Sequence, residues 1–164
     1  MLDLSLSGAT HASQGGGGED IVLALTLQKT CVRRDPTYNR EHTIQFPNGQ
    51  LLNASAAPEY LGNEACVDPE ESLIAALSSC HMLTFLAIAA KKRYTVDSYV
   101  DAATGFLDKN DAGKFAITRI ELHPTIIFSG ERQPDAEGIA AIHEKAHEHC
   151  FIANSITAEV VVLP

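Results

Sequence analysis

Positive charge is scarce in this chain. Its 12 lysines and arginines stand against 21 aspartates and glutamates, a net charge of −9. That balance excludes sequence-independent affinity for nucleic acid or for an anionic bilayer, since nothing here replaces condensed counterions. Cysteine is sparse too. The four thiols, Cys31, Cys66, Cys80 and Cys150, show no CxxC spacing and are too few for a small disulfide-dense scaffold. No secretory signal is visible in Met1 to Gly18, which has neither a basic n-region nor a long apolar h-region, and none is expected. The expectation is a cytoplasmic protein whose thiols rest reduced, so that any cysteine that matters is catalytic or redox-active rather than a staple. No repeat of solenoid period is present.

What remains is enough for a core. With 164 residues and 45% hydrophobic composition, the chain reads as one globular domain over residues 20–164. Residues 1–19 form a Gly-rich N-terminal extension ending in Gly15–Gly18, a flexible linker composition.

The organising stretch is Asp68 to Arg93. Asp68 stands at an N-cap, Pro69 at the first helical position and Glu71 three residues after the cap, a complete helix-start signal. Leu73 to Ala90 is almost entirely small or apolar, and Lys91, Lys92 and Arg93 suit a helix C-terminus. The run is long enough to raise the question of a membrane span. Ser78, Ser79, Cys80, His81 and Thr84 within it, and amphipathic flanks, favour a long central helix buried on all sides.

Ile21–Val32 reads as a strand, and Thr37–Phe46 and Leu51–Ser55 as a hairpin closed by Asn48-Gly49. After the helix, Tyr94–Leu107 and Lys114–Phe128 read as two strands, with a bulge near Arg119 and an edge or strand end at Pro124. A second helix is predicted from about Pro134 to His149, with Ile139, Ile142 and Ala146 inward, and Ser155–Leu163 closes the chain as a strand. The order β-β-β-α-β-β-α-β points to an α+β fold with antiparallel sheets wrapped around the central helix.

Two thiols are placed distinctively. Cys150 directly follows the second helix, where the negative end of the dipole disfavours a thiolate, so it is the poorer nucleophile and the better resolving thiol. Cys80 lies mid-helix in apolar surroundings, which raise a thiol pKa. Unaided, it reads as an inert core thiol; reactivity requires a cation brought in from elsewhere.

Three segments carry a resemblance. D-P-E-E-x-L-x-A-A-L-S-S-C-H-M (Asp68–Met82) is followed by A-H-E-x-C-x-I-A-N-S (Ala146–Ser155), and Y-N-R-E-H (Tyr38–His42) precedes both. Over roughly residues 37–164 the chain resembles the OsmC/Ohr family of thiol-dependent peroxidases, named for osmotically inducible protein C and organic hydroperoxide resistance. His81, Met82 and Phe151 resemble the OsmC-like branch. The Gly-rich start matches nothing in the family's usual beginning, and Cys31 and Cys66 match no family role.

The resemblance implies Cys80 as peroxidatic cysteine, Cys150 as resolving cysteine, Arg40 as the cation that stabilises the thiolate and Glu70 as the carboxylate that holds the arginine. It also implies an intertwined homodimer and a lipoyl-type dithiol as reductant. Ten residues of helix separate Glu70 from Cys80, a rise of about 15 Å, so one arginine can hardly touch both in a straight helix. The expectation is that Glu70 serves the cysteine of the other subunit. The substrate would be an organic hydroperoxide, alkyl or fatty-acid, held against Leu77, Met82, Leu83 and Phe85. The cycle would need no metal, flavin or haem.

Two rivals belong to other classes. One is a non-catalytic OsmC-like protein that binds a small apolar or lipoylated ligand in the same pocket. The other is a zinc-dependent hydrolase on His143, His147 and His149, the first two of which are spaced i, i+4.

Overall fold

The chain, described by a computed structural model over residues 24–26, 38 and 40–164, is built on one 23-residue helix, α1 (Pro69–Lys91). Its start follows from the predicted capping box. The Glu71 backbone N–H donates to Asp68 Oδ1 at 2.7 Å, and the Asp68 N–H donates to Glu71 Oε2 at 3.1 Å. Two backbone donors that the helix cannot satisfy itself are thereby satisfied.

Before α1, three antiparallel strands form a small sheet in the order β1 (Ala24–Thr26), β2 (His42–Gln45), β3 (Leu51–Ala54). The β2–β3 turn holds Gly49 at φ 86°, the left-handed conformation that makes Asn-Gly a hairpin signal. The rest of the strand expected over Ile21–Val32, and the N-terminal extension with it, lie outside the described residues.

After α1 the structure departs from the two long strands expected. Each breaks in the middle, giving β4 (Thr95–Asp101), β5 (Thr104–Lys109), β6 (Phe115–Leu122) and β7 (Pro124–Ser129). The long hairpin folds over at a corner. β4 pairs with β7 in one sheet, while β5 and β6 pair in another, which β8 (Glu159–Val162) joins parallel to β6. The corner is pinned by Asp101, whose Oδ1 accepts the His123 N–H at 2.7 Å and whose Oδ2 accepts the Ser78 hydroxyl at 2.5 Å. The bulge expected near Arg119 is present: Phe106 faces Arg119 and Leu107 faces Ile117, so Thr118 is the extra residue. Gly105 lets β5 lie close on α1, since a Cβ there would stand 2.4 Å from Ile74 Cδ1.

Helix α2 (Ala136–His149) starts two residues later than expected, because Asp135 takes the cap and accepts the Gly138 N–H at 2.8 Å. The closing strand is shorter than predicted, since Ala153–Ser155 form a 3₁₀ turn first.

Leu77, His81, Phe85 and Ala89, every fourth residue of α1, are the positions it buries. Steps of four over-rotate by about 40° each, so the stripe swings about 120° along the helix and faces two cores in turn. Leu77 packs with Ile120, Leu122 and Cys150 in the first. Phe85 and Ala89 pack with Ile142 and Ala146 in the second. The expectation of burial on all sides is therefore corrected within one chain. Only 22% of the most apolar window of α1 is buried, and Leu83 is 60% exposed. The helix is long and apolar enough to cross a membrane by length and composition alone.

Replacing Asp68 with alanine removes one arm of the capping box and should lower stability by about 1 kcal/mol. Urea unfolding checks this, and an unchanged midpoint would contradict it.

Candidate dithiol site

Chain topology brings together two thiols far apart in sequence. Cys80 projects from the middle of α1, and Cys150 is the residue that caps α2. α1 and α2 run in opposite senses where they pack, so that Cys80 and Cys150 meet at one end and Phe85 and Ile142 pack at the other. Cys150 is fully buried between Leu77, Ile120 and Leu122, and Cys80, half-buried, packs against the same cluster. The two thiols stand beside each other in this cluster, and both are free.

Burial pushes the Cys150 thiol up to about 11, with the Cys80 thiol beside it adding to the rise. The Ala153 N–H, which donates to Cys150 Sγ at 3.4 Å, only partly offsets this. Cys150 is thus held as the protonated partner near neutral pH, a state suited to hydrogen-bonding a neighbouring thiolate rather than to attacking first.

The remaining predicted site residues scatter. Of the four expected around Cys80, Leu77 alone shares its cluster. Met82 lines a cavity of about 480 Å³ with Ile74, Ser78, Tyr99 and Asp101, on the side of α1 opposite Cys80. Phe85 belongs to the second core and Leu83 is exposed. The physical reason is the 100° advance per residue, which cannot keep 77, 82, 83 and 85 on one face. A better apolar lining lies toward the N-terminal end of α1. A groove of about 490 Å³ runs between Glu70, Leu73, Leu107, Phe115 and Ile156, and its walls Ile117, Ile156 and Ala158 also pack on the thiol cluster.

Arg40 and Glu70 are not joined in the single chain. The Arg40 guanidinium donates to the Tyr38 carbonyl at 3.1 Å and stacks over the Tyr38 ring, 4.2 Å from its centroid. Neither contact involves Cys80. Among the described residues no carboxylate pairs with Arg40 and no cation with Glu70.

The histidine cluster dissolves. His143 turns into the core, 4% exposed, while His147 and His149 face outward, and no group of three His, Cys, Asp or Glu side chains able to hold a metal forms among the described residues. His143 instead meets His81: their Nδ1 and Nε2 lie 3.0 Å apart, and the rings stack with centroids 5.3 Å apart. The sequence reading missed this pair. The signal was available, since His81 stands four residues from both Leu77 and Phe85, and His143 directly follows Ile142 on the inward face of α2.

A mixed α+β chain with a long central helix and two apposed thiols from different helices defines the class. The OsmC-like protein family profile matches residues 62–163, and the chain belongs to that family. It is 45% identical to an OsmC-like protein of unknown function from Vibrio cholerae O1 biovar eltor str. N16961, with a TM-score of 0.85 over 89% of this chain and 99% of that one. The fold is also that of an organic hydroperoxide resistance protein OsmC from Legionella pneumophila, at 18% identity and a TM-score of 0.62, covering 86% of this chain and 93% of that one. It is likewise that of the organic hydroperoxide resistance protein OhrB of Bacillus subtilis, at 16% identity and a TM-score of 0.60, covering 86% and 96%. No curated protein matches the chain.

Burial pulls His81 down to about 4 and lowers His143 as well, with the neighbouring His143 and His147 adding to the effect on His81. Unfolded, both return to about 6.5. Between those values the unfolded chain binds more protons, so stability is full above about pH 6.5 and falls as pH drops toward 4. Urea midpoints at pH 7 and 5.5 should differ in the wild type and differ less in His81→Phe/His143→Phe. Equal slopes would contradict the assignment.

Proposed function

We propose that the protein is a thiol-dependent peroxidase that reduces organic hydroperoxides, alkyl or fatty-acid, to alcohols. The observation that carries this reading is the apposition of Cys80 and Cys150 inside an apolar cluster, with the Cys150 thiol raised. The Cys80 thiolate attacks the distal peroxide oxygen. An S–O bond forms, the O–O bond breaks, and the alkoxide leaves as alcohol after taking a proton, so Cys80 becomes a sulfenic acid. The Cys150 thiol then attacks that sulfur, water departs, and a disulfide closes between them. An external dithiol of lipoyl type returns both to thiols by exchange and is itself oxidised to a disulfide.

Arg40 supplies the cation, Glu70 orients it, and both do so across a homodimer. Two observations support this arrangement: among the described residues neither has a partner of opposite charge, and the outer face of α1 is apolar and uncovered. A guanidinium keeps its charge when half-buried and can take a carboxylate in a fork. The groove beside Glu70 receives the alkyl part of the peroxide. Free thiols at Cys66, Cys80 and Cys150 agree with work in a reducing cytoplasm.

Cumene hydroperoxide consumption should disappear in Cys80→Ser, and Cys150→Ser should turn over no more than once. Activity surviving Cys80→Ser would refute the reading, and an inert wild type with unchanged thiol count would favour a ligand-binding module. Arg40→Lys keeps charge but loses the fork, and its second-order rate should fall by about tenfold or more. Sedimentation should give a dimer at micromolar concentration; a stable monomer would contradict the shared site.

A further inference from the structure

The His81–His143 pair takes no part in the cycle above, yet it occupies an informative position. His81 is the residue after Cys80 on α1, and His143 lies seven residues, two helical turns, before Cys150 on α2. Among the described residues their contact is the one side-chain hydrogen bond joining the two helices that carry the thiols. It sits between the two apolar cores, where Leu77 and Cys150 belong to one and Phe85 and Ile142 to the other. Apolar packing tolerates sliding and small rotations; a hydrogen bond of 3.0 Å between ring nitrogens does not.

The arrangement also has a cost that calls for a reason. His81 is fully buried and His143 nearly so, and the outer nitrogens, His81 Nδ1 and His143 Nε2, have no hydrogen-bond partner among the described residues. An unsatisfied buried polar atom keeps its full desolvation cost, so two leucines of similar volume would give a more stable core. The pair is further locked by rings. The His143 ring lies 4.5 Å from that of Phe85, which in turn meets Tyr99 edge-on at 5.6 Å. Ser78, three residues before His81, is tied to Asp101, so α1 is clamped both to the sheet corner and to α2 on either side of Cys80.

We propose that His81 and His143 are positioning residues: their hydrogen bond sets the rotation and height of α1 against α2, and so holds Cys80 at the distance from Cys150 that a disulfide requires. A disulfide demands Cβ atoms about 3.5–4.5 Å apart, a tolerance that a shift of a helix by a fraction of a turn exceeds. Loss of the bond leaves both thiols in place but lowers their effective concentration toward each other. The proposal rests on the Cys80–Cys150 pairing proposed above and not on the choice of peroxide.

The test is therefore a potential rather than an activity. In glutathione buffers, Cys80 and Cys150 give up two electrons and two protons to glutathione disulfide, which leaves as two glutathione thiols, while the protein disulfide forms. His81→Phe/His143→Phe keeps two stacked rings and leaves no orphan nitrogen, but removes the hydrogen bond. It should move the equilibrium at least about tenfold toward the dithiol, a potential less negative by about 30 mV. His81→Gln, whose amide reaches the position of Nε2, should stay within about twofold of wild type. A core-filling role would change the melting temperature without moving the potential, because both redox forms would be affected alike. A second pair, His143→Leu against His143→Asn, reads the same contrast if the double variant does not fold. Folded variants that keep the wild-type potential would overturn the proposal, as would polar replacements that shift it as far as apolar ones. Should wild type form no Cys80–Cys150 disulfide at all, the dithiol reading fails and this proposal with it. A disulfide with normal potential but no peroxide consumption would instead count against the peroxidase reading alone.

Discussion

The packing of one helix stripe against two separate cores governs the rest of this molecule. Leu77, His81, Phe85 and Ala89 are the residues α1 buries, and the slow rotation of that stripe presents its first half to β6 and α2's end, and its second half to β4, β7 and the body of α2. Cys80 stands beside the point where the two cores meet. Helix α2 must then end where it does, since its capping residue is Cys150 and that side chain completes the first core. The bent hairpin serves the same geometry. Its corner at Asp101 and His123 lets four strands cover α1 from two directions, which two straight strands of that length could not do.

Chemistry and packing are coupled at Cys150. The burial that makes it part of the core is the first cause of its raised pKa. A thiol in that state donates to a neighbour instead of competing with it, so the division of labour proposed between attacking and resolving sulfur needs no further device on the Cys150 side. The side that does need one is Cys80. Among the described residues the expected cation is not beside it, since Arg40 spends its guanidinium on Tyr38. The apolar outer face of α1 and the separated Arg40 and Glu70 are consistent with a site completed by a second copy.

Much of this was legible in the sequence wherever local chemistry decides the outcome. The capping box at Asp68, the Asn48-Gly49 turn and the bulge opposite Phe106 each depend on a few adjacent residues, and each is found where expected. The family, too, was legible in the two cysteine motifs. What could not be read was tertiary. The corner that splits the long strands is set by a hydrogen bond from residue 123 to Asp101, partners 22 residues apart. Which apolar residues surround Cys80 depends on azimuth, and choosing Met82 and Phe85 by proximity in sequence ignored the turn of the helix. His143 read as a surface ligand with His147 because i, i+4 spacing places two residues on one face without saying whether that face is inside. Burial separates them: one is in the core and the other in solvent.

The most direct test of the central claim is a mass map of the reduced protein after one equivalent of an organic hydroperoxide. The account predicts a chain lighter by two hydrogen atoms, with a single cross-link joining the peptides of Cys80 and Cys150 and with Cys66 still open to alkylation. Oxygen retained on Cys80 while Cys150 stays reduced, or a cross-link through any other cysteine, would contradict it.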